Sequence, residues 1–347
     1  MSQFINSRNK LVTEALNGFL RGQEGQVSRL DGFPHIKVVV RTDWKFDQVA
    51  IISGGGSGHE PAHIGFVGKG MLTAAVCGEI FASPSVEAVL AGILAVTGEK
   101  GCLLIVKNYT GDRLNFGLAA EKARARGLNI KMVIVDDDIS LPEDVQARGL
   151  AGTLFVHKIA GFLAEGGKSL DEIFDATQSL IPLIASIGVS IDNCTVPGTL
   201  KDERIAEGMA ELGLGIHGEP GRELIAFENA GSIMKIILSN LQSKIDNDQK
   251  YALILNNLGG CTPLEMAVLR EEIAKSDLVS QLSLIIGPEM LMTSLDMHGF
   301  SVSILPSSKL VAEALTFPVG PRAWPNPVPL IDPIIADLPK IQTKENG

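Results

Sequence analysis

Two histidines sit in glycine-rich segments of similar make-up. His59 follows Ser53-Gly54-Gly55-Gly56-Ser57-Gly58 and precedes Glu60-Pro61. His217 lies in Gly213-Leu214-Gly215-Ile216-His217-Gly218-Glu219-Pro220-Gly221. An imidazole moves protons near neutral pH, and in its neutral form offers a lone pair as a nucleophile. Flanking glycines leave such a ring open to a ligand and expose backbone N–H groups to phosphate or hydroxyl oxygens. The first segment is not a Walker A loop, because no Lys-Ser or Lys-Thr pair follows the glycines. Nor is it a G-x-G-x-x-G opening a helix, because Pro61 comes too soon. A turn histidine facing only solvent is the plain alternative for His217.

A second polar knot is Lys107-Asn108-Tyr109-Thr110-Gly111-Asp112. Asp112 has the chemistry of a general base or of a helix N-cap. Lys107 suits a substrate oxygen or phosphate, or else a solvated charge at a strand end. Asp136-Asp137-Asp138 offers hard oxygen ligands for a cation, or a mixture of cap and solvated charge. His63 stands four residues beyond His59. His35, His157 and His298 have no supporting pattern, and His157, beside Lys158, reads as structural or exposed.

These residues need elements to hold them. Val49–Ile52 reads as a buried strand feeding a glycine loop at Ser53–Gly58. Continuous apolar runs at Ile36–Val40, Leu72–Cys77, Gly101–Val106 and Lys131–Val135 read as further strands. Helices are predicted over Asn9–Phe19, Pro84–Val96 with Ser83 as cap, and Leu114–Arg126, with more at Gly152–Ala164 and Ser169–Leu180. Strand and helix alternation implies a mostly parallel sheet flanked by helices, and ligands of such sheets gather at the carboxyl ends of strands. The glycine loop, Lys107–Asp112 and the three aspartates all fall at that edge. In the second half, strands are expected at Tyr251–Leu255, Leu282–Ile286 and Val302–Leu305, with helices at Ala230–Gln242 and Pro263–Ala274. From Pro318 a tail rich in proline, through Pro339, should run extended over the surface with Trp324 as its anchor.

A chain of 347 residues suggests two domains. We place an α/β domain at 1–190, with the glycine loop and acid/base residues. A second α/β domain at 191–347 holds His217 and the tail. The formal charge of −10 argues against nucleic acid and anionic membrane as partners. Cys77, Cys102, Cys194 and Cys261 lack metal spacing and read as reduced thiols. With neither a signal peptide nor a spanning run in view, the expected location is cytoplasmic.

Taken together, Ser53–His63, Lys107–Asp112, Val135–Asp138 and Gly213–Gly221 resemble the dihydroxyacetone kinase family. So do Cys194-Thr195-Val196-Pro197, Leu255–Gly260 and Thr293-Ser294-Leu295-Asp296-Met297. The likeness covers most of positions 10–325 and is closest to the substrate-binding K subunit of the phosphotransferase-system-dependent type. It implies that His217 adds to the ketone carbon of dihydroxyacetone as a covalent hemiaminal. His59 and Asp112 take the acid/base roles, and Gly56, Ser57, Gly58 and Lys107 contact the substrate or its phosphate. No metal or cofactor is expected on this chain. ADP or ATP and magnesium would belong to a separate L subunit, recharged by an M-type phosphotransferase-system protein, and the K subunit would be a homodimer. Ala323-Trp324-Pro325-Asn326 looks more like the long ATP-using form, and Asp43–Asp47 follows no family pattern. Erythrulose is an alternative ketose. A second reading is a ketose-sensing coactivator of a transcription factor, which the presence of His59 and Asp112 beside His217 argues against.

Overall fold

The computed structural model describes residues 3–142 and 144–338. Pro339, part of the proline-rich tail, lies outside the described residues. In chain order the elements are α1 (Leu11–Arg21), β1 (Val27–Arg29), β2 (Val38–Arg41), β3 (Ala50–Ser57), β4 (Ala74–Ile80), α2 (Val86–Val96) and β5 (Cys102–Lys107). Next come α3 (Thr110–Arg124), β6 (Ile130–Val135), α4 (Thr153–Glu165), α5 (Leu170–Leu180), β7 (Ala185–Ser190), β8 (Met209–Leu212) and β9 (Glu223–Ala226). The chain continues with α6 (Ala230–Leu241), β10 (Tyr251–Asn257), α7 (Pro263–Ala274), β11 (Leu282–Glu289), β12 (Gly299–Pro306) and α8 (Lys309–Thr316).

Two six-stranded sheets result, ordered β1-β2-β4-β3-β5-β6 and β11-β10-β12-β7-β8-β9. The β4-β3-β5-β6 run of the first is parallel, as its unbroken apolar strands require. β1 and β2 extend it antiparallel. In the second sheet only β10 and β11 are parallel. Both halves are thus α/β.

The layers follow from which faces are apolar. Val38, Ile52 and Leu104 of the first sheet pack on Val89 and Ile93 of α2 and Phe116 of α3. The opposite face, including Ile51, Leu103 and Ile105, packs on α4, and α4 also meets Ile254 and Leu305 of the second sheet. α4 is therefore sandwiched between the sheets, which is why eleven of its thirteen residues are buried. α6 and α7 cover the far face of the second sheet.

Several local expectations shift. β3 does not end before the glycines; it runs through them to Ser57. A methyl group at Gly54 would come within 2.2 Å of the Val76 carbonyl oxygen, so the glycines let β4 pack closely against β3. α2 is capped by Ser85, whose side chain accepts from the Ala88 N–H, not by Ser83. α3 begins at Thr110, four residues early, so Asp112 lies in its first turn and is not its N-cap. Trp324 is buried against the first core, as the tail's anchor. The four cysteines are free thiols, two buried and two half-buried.

Candidate active site

The turn after β3 crosses to the second half of the chain and is fastened there. Leu295 N–H donates to the Gly58 carbonyl at 2.8 Å, and Thr293 N–H donates to the His59 carbonyl at 3.1 Å. The Thr293 hydroxyl donates to the Glu60 carbonyl at 2.9 Å. Gly58 has φ +105°, and a side chain there would strike Phe81 and Leu295, so glycine is required. The Ser57 hydroxyl donates to the Gly78 carbonyl at 2.9 Å, and a methyl at Gly56 would meet the Ala82 nitrogen at 2.7 Å. The segment is a rigid seam between the sheets.

His59 is fully buried on that seam. Its Nδ1 lies 2.8 Å from the Thr293 carbonyl oxygen. A carbonyl only accepts, so the proton sits on Nδ1 and the lone pair on Nε2. Nε2 is buried without a hydrogen-bond partner. Burial, then the positive Lys107 and then His217, hold the His59 pKa well below the usual imidazole value. The ring is therefore a neutral base with a free acceptor nitrogen.

That ring faces His217, with centroids 4.7 Å apart and the planes nearly perpendicular. Tyr109 meets His217 edge-on at 4.3 Å and Phe81 does so at 5.4 Å, while Phe81 stacks on His59 at 5.2 Å. His217 is half-buried, not a solvent-facing turn residue. Its backbone N–H donates to Glu219 Oε2 at 2.8 Å and its Nδ1 donates to Glu219 Oε1 at 3.1 Å. Burial raises the Glu219 carboxyl, but the hydrogen bond and charge of His217 outweigh this and bring it down to about 2. An ionised carboxylate on Nδ1 leaves the Nε2 lone pair of His217 free. Glu219 was not singled out by its type; the signal was its place two residues after the histidine. Glu60, which directly follows His59, likewise accepts from the N–H two residues before it, that of Gly58, at 2.8 Å.

Lys107 and Asp112 approach from the ends of β5 and α3. Lys107 is completely buried, contrary to the solvated-charge reading, and Asp112 is nearly so. A methyl at Gly55 would lie 2.8 Å from Lys107 Nζ and 3.4 Å from Asp112 Oδ2. Gly55 thus leaves open the space into which an ammonium and a carboxylate both point. Burial lowers the Lys107 pKa, and Asp112 counters it.

The aspartate run divides. Asp137 is buried and accepts from the Leu150 and Gly152 N–H groups and from the Ser186 hydroxyl. Asp138 pairs with Arg148 at 2.7 Å, and Arg148 donates to the Gly213 carbonyl at 2.5 Å. Asp138, through Arg148, therefore holds the His217 segment in place, and Asp136 is exposed. Among the described residues no three His, Cys, Asp or Glu side chains converge as a metal site. His298 pairs with Glu265 at 2.8 Å and His35 is exposed, both away from the seam. His157 is buried behind it.

A family model described as the Dak1 domain matches residues 17–322. The dihydroxyacetone kinase of Citrobacter freundii is 50% identical over 332 residues, covering 95% of this chain and 60% of that protein. Its native crystal structure matches with a TM-score of 0.94 at 48% identity, over 99% of this chain and 64% of the other. The dihydroxyacetone-binding subunit DhaK of PTS-dependent dihydroxyacetone kinase 1 from Listeria innocua is 36% identical over 339 residues, 93% of this chain and 100% of that subunit. A structure of the dihydroxyacetone kinase operon co-activator Dha-DhaQ matches with a TM-score of 0.85 at 33% identity, over 90% of this chain and 98% of the other. The chain spans about three-fifths of the length of the curated kinases it matches. Fold and site define the class as a two-sheet α/β protein with its polar residues gathered between the sheets. The chain belongs to the dihydroxyacetone kinase family and corresponds to its substrate-binding K part.

Proposed function

We propose that this chain binds dihydroxyacetone and presents its terminal hydroxyl for phosphorylation. The observation that carries the reading is the facing pair of imidazoles, each with Nδ1 committed to an acceptor and Nε2 left free. The His217 Nε2 lone pair adds to the ketone carbon, the carbonyl π pair moves onto oxygen, and that oxygen takes up a proton. The alkylated ring keeps its Nδ1 proton and gains a positive charge, which the ionised Glu219 carboxylate at Nδ1 balances, while the proton on the new hydroxyl comes from solvent. A polyol such as glycerol has no carbonyl carbon for this step.

With the ketone held, the terminal hydroxyl loses its proton to His59 Nε2 or Asp112 as its oxygen bonds to the incoming phosphorus, and the bond from phosphorus to the donor oxygen breaks. Lys107 offsets the charge of the transferring group. ADP or ATP and magnesium supply the phosphoryl group and its neutralising charge when bound, and we assign them to an L partner. We further propose that this L partner is served in turn by an M-type phosphotransferase-system protein. We also infer a homodimer. Among the described residues no helix is long and apolar enough to cross a membrane.

The test is phosphoryl transfer from a charged L subunit to dihydroxyacetone, erythrulose and glycerol. Transfer to a ketose but not to glycerol is expected. Equal transfer to glycerol, or none to either ketose, overturns the reading. The co-activator likeness favours a second reading as a ketose sensor, for which ketone binding without transfer is the expected outcome.

A further inference from the structure

Beside Lys107 lie two buried polar side chains, His63 and Ser53, that the proposed reaction does not use. His63 is 4% exposed, and its Nε2 sits 2.9 Å from Lys107 Nζ. Its Nδ1 lies 3.4 Å from the Ser53 hydroxyl, and that hydroxyl donates to the Ile105 carbonyl at 2.7 Å. The directions of these bonds fix one another. Ser53 spends its proton on Ile105, so it accepts from His63, and the His63 proton is therefore on Nδ1. Nε2 is then a lone pair, the one state in which it accepts from an ammonium.

We infer that His63, locked by Ser53 into its Nδ1–H form, is a positioning residue that aims the Lys107 ammonium at the phosphoryl group in transfer.

The case rests on what a buried lysine needs. Lys107 is fully buried; Asp112 across the Gly55 space offsets its charge without a direct hydrogen bond to Nζ, whereas His63 Nε2 bonds it at 2.9 Å. A long, flexible ammonium in that setting has several rotamers, and a misplacement of about 1 Å can cost about a hundredfold in rate. His63 takes one of its three N–H groups and so fixes the direction of the other two. Nζ stands beside Gly55, where Asp112 Oδ2 and His63 Nε2 also converge and where the strand carries no side chain. His63 is itself held: it lies against His157, with centroids 5.2 Å apart. Burial and the Lys107 charge both press His63 toward its neutral form, as accepting from Lys107 requires.

This inference rests on the kinase reading, and the experiment separates the two. Wild type, His63→Gln and His63→Leu are each assayed with a charged L subunit for kcat and for the KM of dihydroxyacetone. Glutamine places an acceptor oxygen near the position of Nε2; leucine places none. In His63→Leu a fall in kcat of about a hundredfold with little change in KM is expected, with most of it restored in His63→Gln. Binding of dihydroxyacetone at His217, followed separately, should be the same in all three. Histidine 15N spectra should show His63 protonated on Nδ1, with an Nε2 resonance that moves in Lys107→Met. An active wild type with His63→Leu equally active overturns the positioning role. So do His63→Gln as impaired as His63→Leu, and a proton found on His63 Nε2. A wild type that transfers nothing to dihydroxyacetone overturns the kinase reading instead.

Discussion

Replacing Glu219 by glutamine tests how much of the ketone affinity is set by the carboxylate behind His217. Glu219 receives two bonds, from the backbone N–H and from Nδ1 of the same histidine. Glutamine keeps the shape but has one acceptor oxygen; its amide end would turn a donor toward a donor. A hydrogen bond to a charged group contributes about 1.5–3 kcal/mol. Only the part that strengthens as the ring gains charge during adduct formation appears in binding. Taking the low end, Glu219→Gln should weaken dihydroxyacetone binding about tenfold. Because the Glu219 carboxyl is held at about 2, it is ionised in every molecule near neutrality. The loss should therefore be the same across neutral pH. Isothermal titration of wild type and variant, with glycerol as the control ligand and thermal melts as the fold control, measures it. Unchanged ketone affinity, or an equal loss for ketone and glycerol, would refute the reasoning.

The acid/base pair gives a second expectation. His59→Asn and Asp112→Asn should each keep ketone binding and lose at least about a hundredfold in turnover with an L partner; steady-state kinetics at wild-type rates would remove them from the mechanism. Acid stability gives a third. His59 and His63 are pushed well below the usual imidazole value and His157 down to about 3, in each case by burial first and Lys107 second. Unfolded imidazoles protonate near 6.5, so below that the unfolded chain binds more protons. Stability from these rings is complete above about pH 6.5 and is lost as the pH falls toward their folded values. Three rings imply a slope of up to about 4 kcal/mol per pH unit once the unfolded rings are charged. Urea midpoints in mildly acidic buffers measure it. Both His157 ring nitrogens lack partners, so His157→Leu should cost little at neutral pH and remove about a third of that slope. A slope unaltered in His157→Leu would contradict the assignment.

Eight of the twelve strands and most helices were legible because their signals are local, such as the continuous apolar runs of β3, β5 and β6, whereas β1, β7, β8 and β9 were not read as strands. The candidate site residues were visible as glycine-flanked histidines and polar strand ends. What joins them was not. The contact of His59 with Thr293 spans 234 positions, and no periodicity encodes a contact of that range. Lys107 read equally as a surface charge because burial of an ammonium depends on His63 and on α4 packed over it. His157 read as structural or exposed, since a lone histidine in an apolar helix does not reveal that both helix faces are covered. α8 went unread although Leu310, Val311, Ala314 and Leu315 carry helical spacing behind the Ser308 cap. Its apolar face closes α4 from the second half of the chain, which is a tertiary fact.

The central claim is that the His217 imidazole makes a bond to the ketone carbon. Dihydroxyacetone labelled with 13C at its carbonyl carbon, titrated with wild type and with His217→Asn, tests it most directly by NMR. The bound carbon should leave the carbonyl region and take the shift of a tetrahedral carbon bonded to nitrogen and oxygen, in wild type alone. A bound ketone that keeps its carbonyl resonance, or an identical signal with His217→Asn, would contradict it.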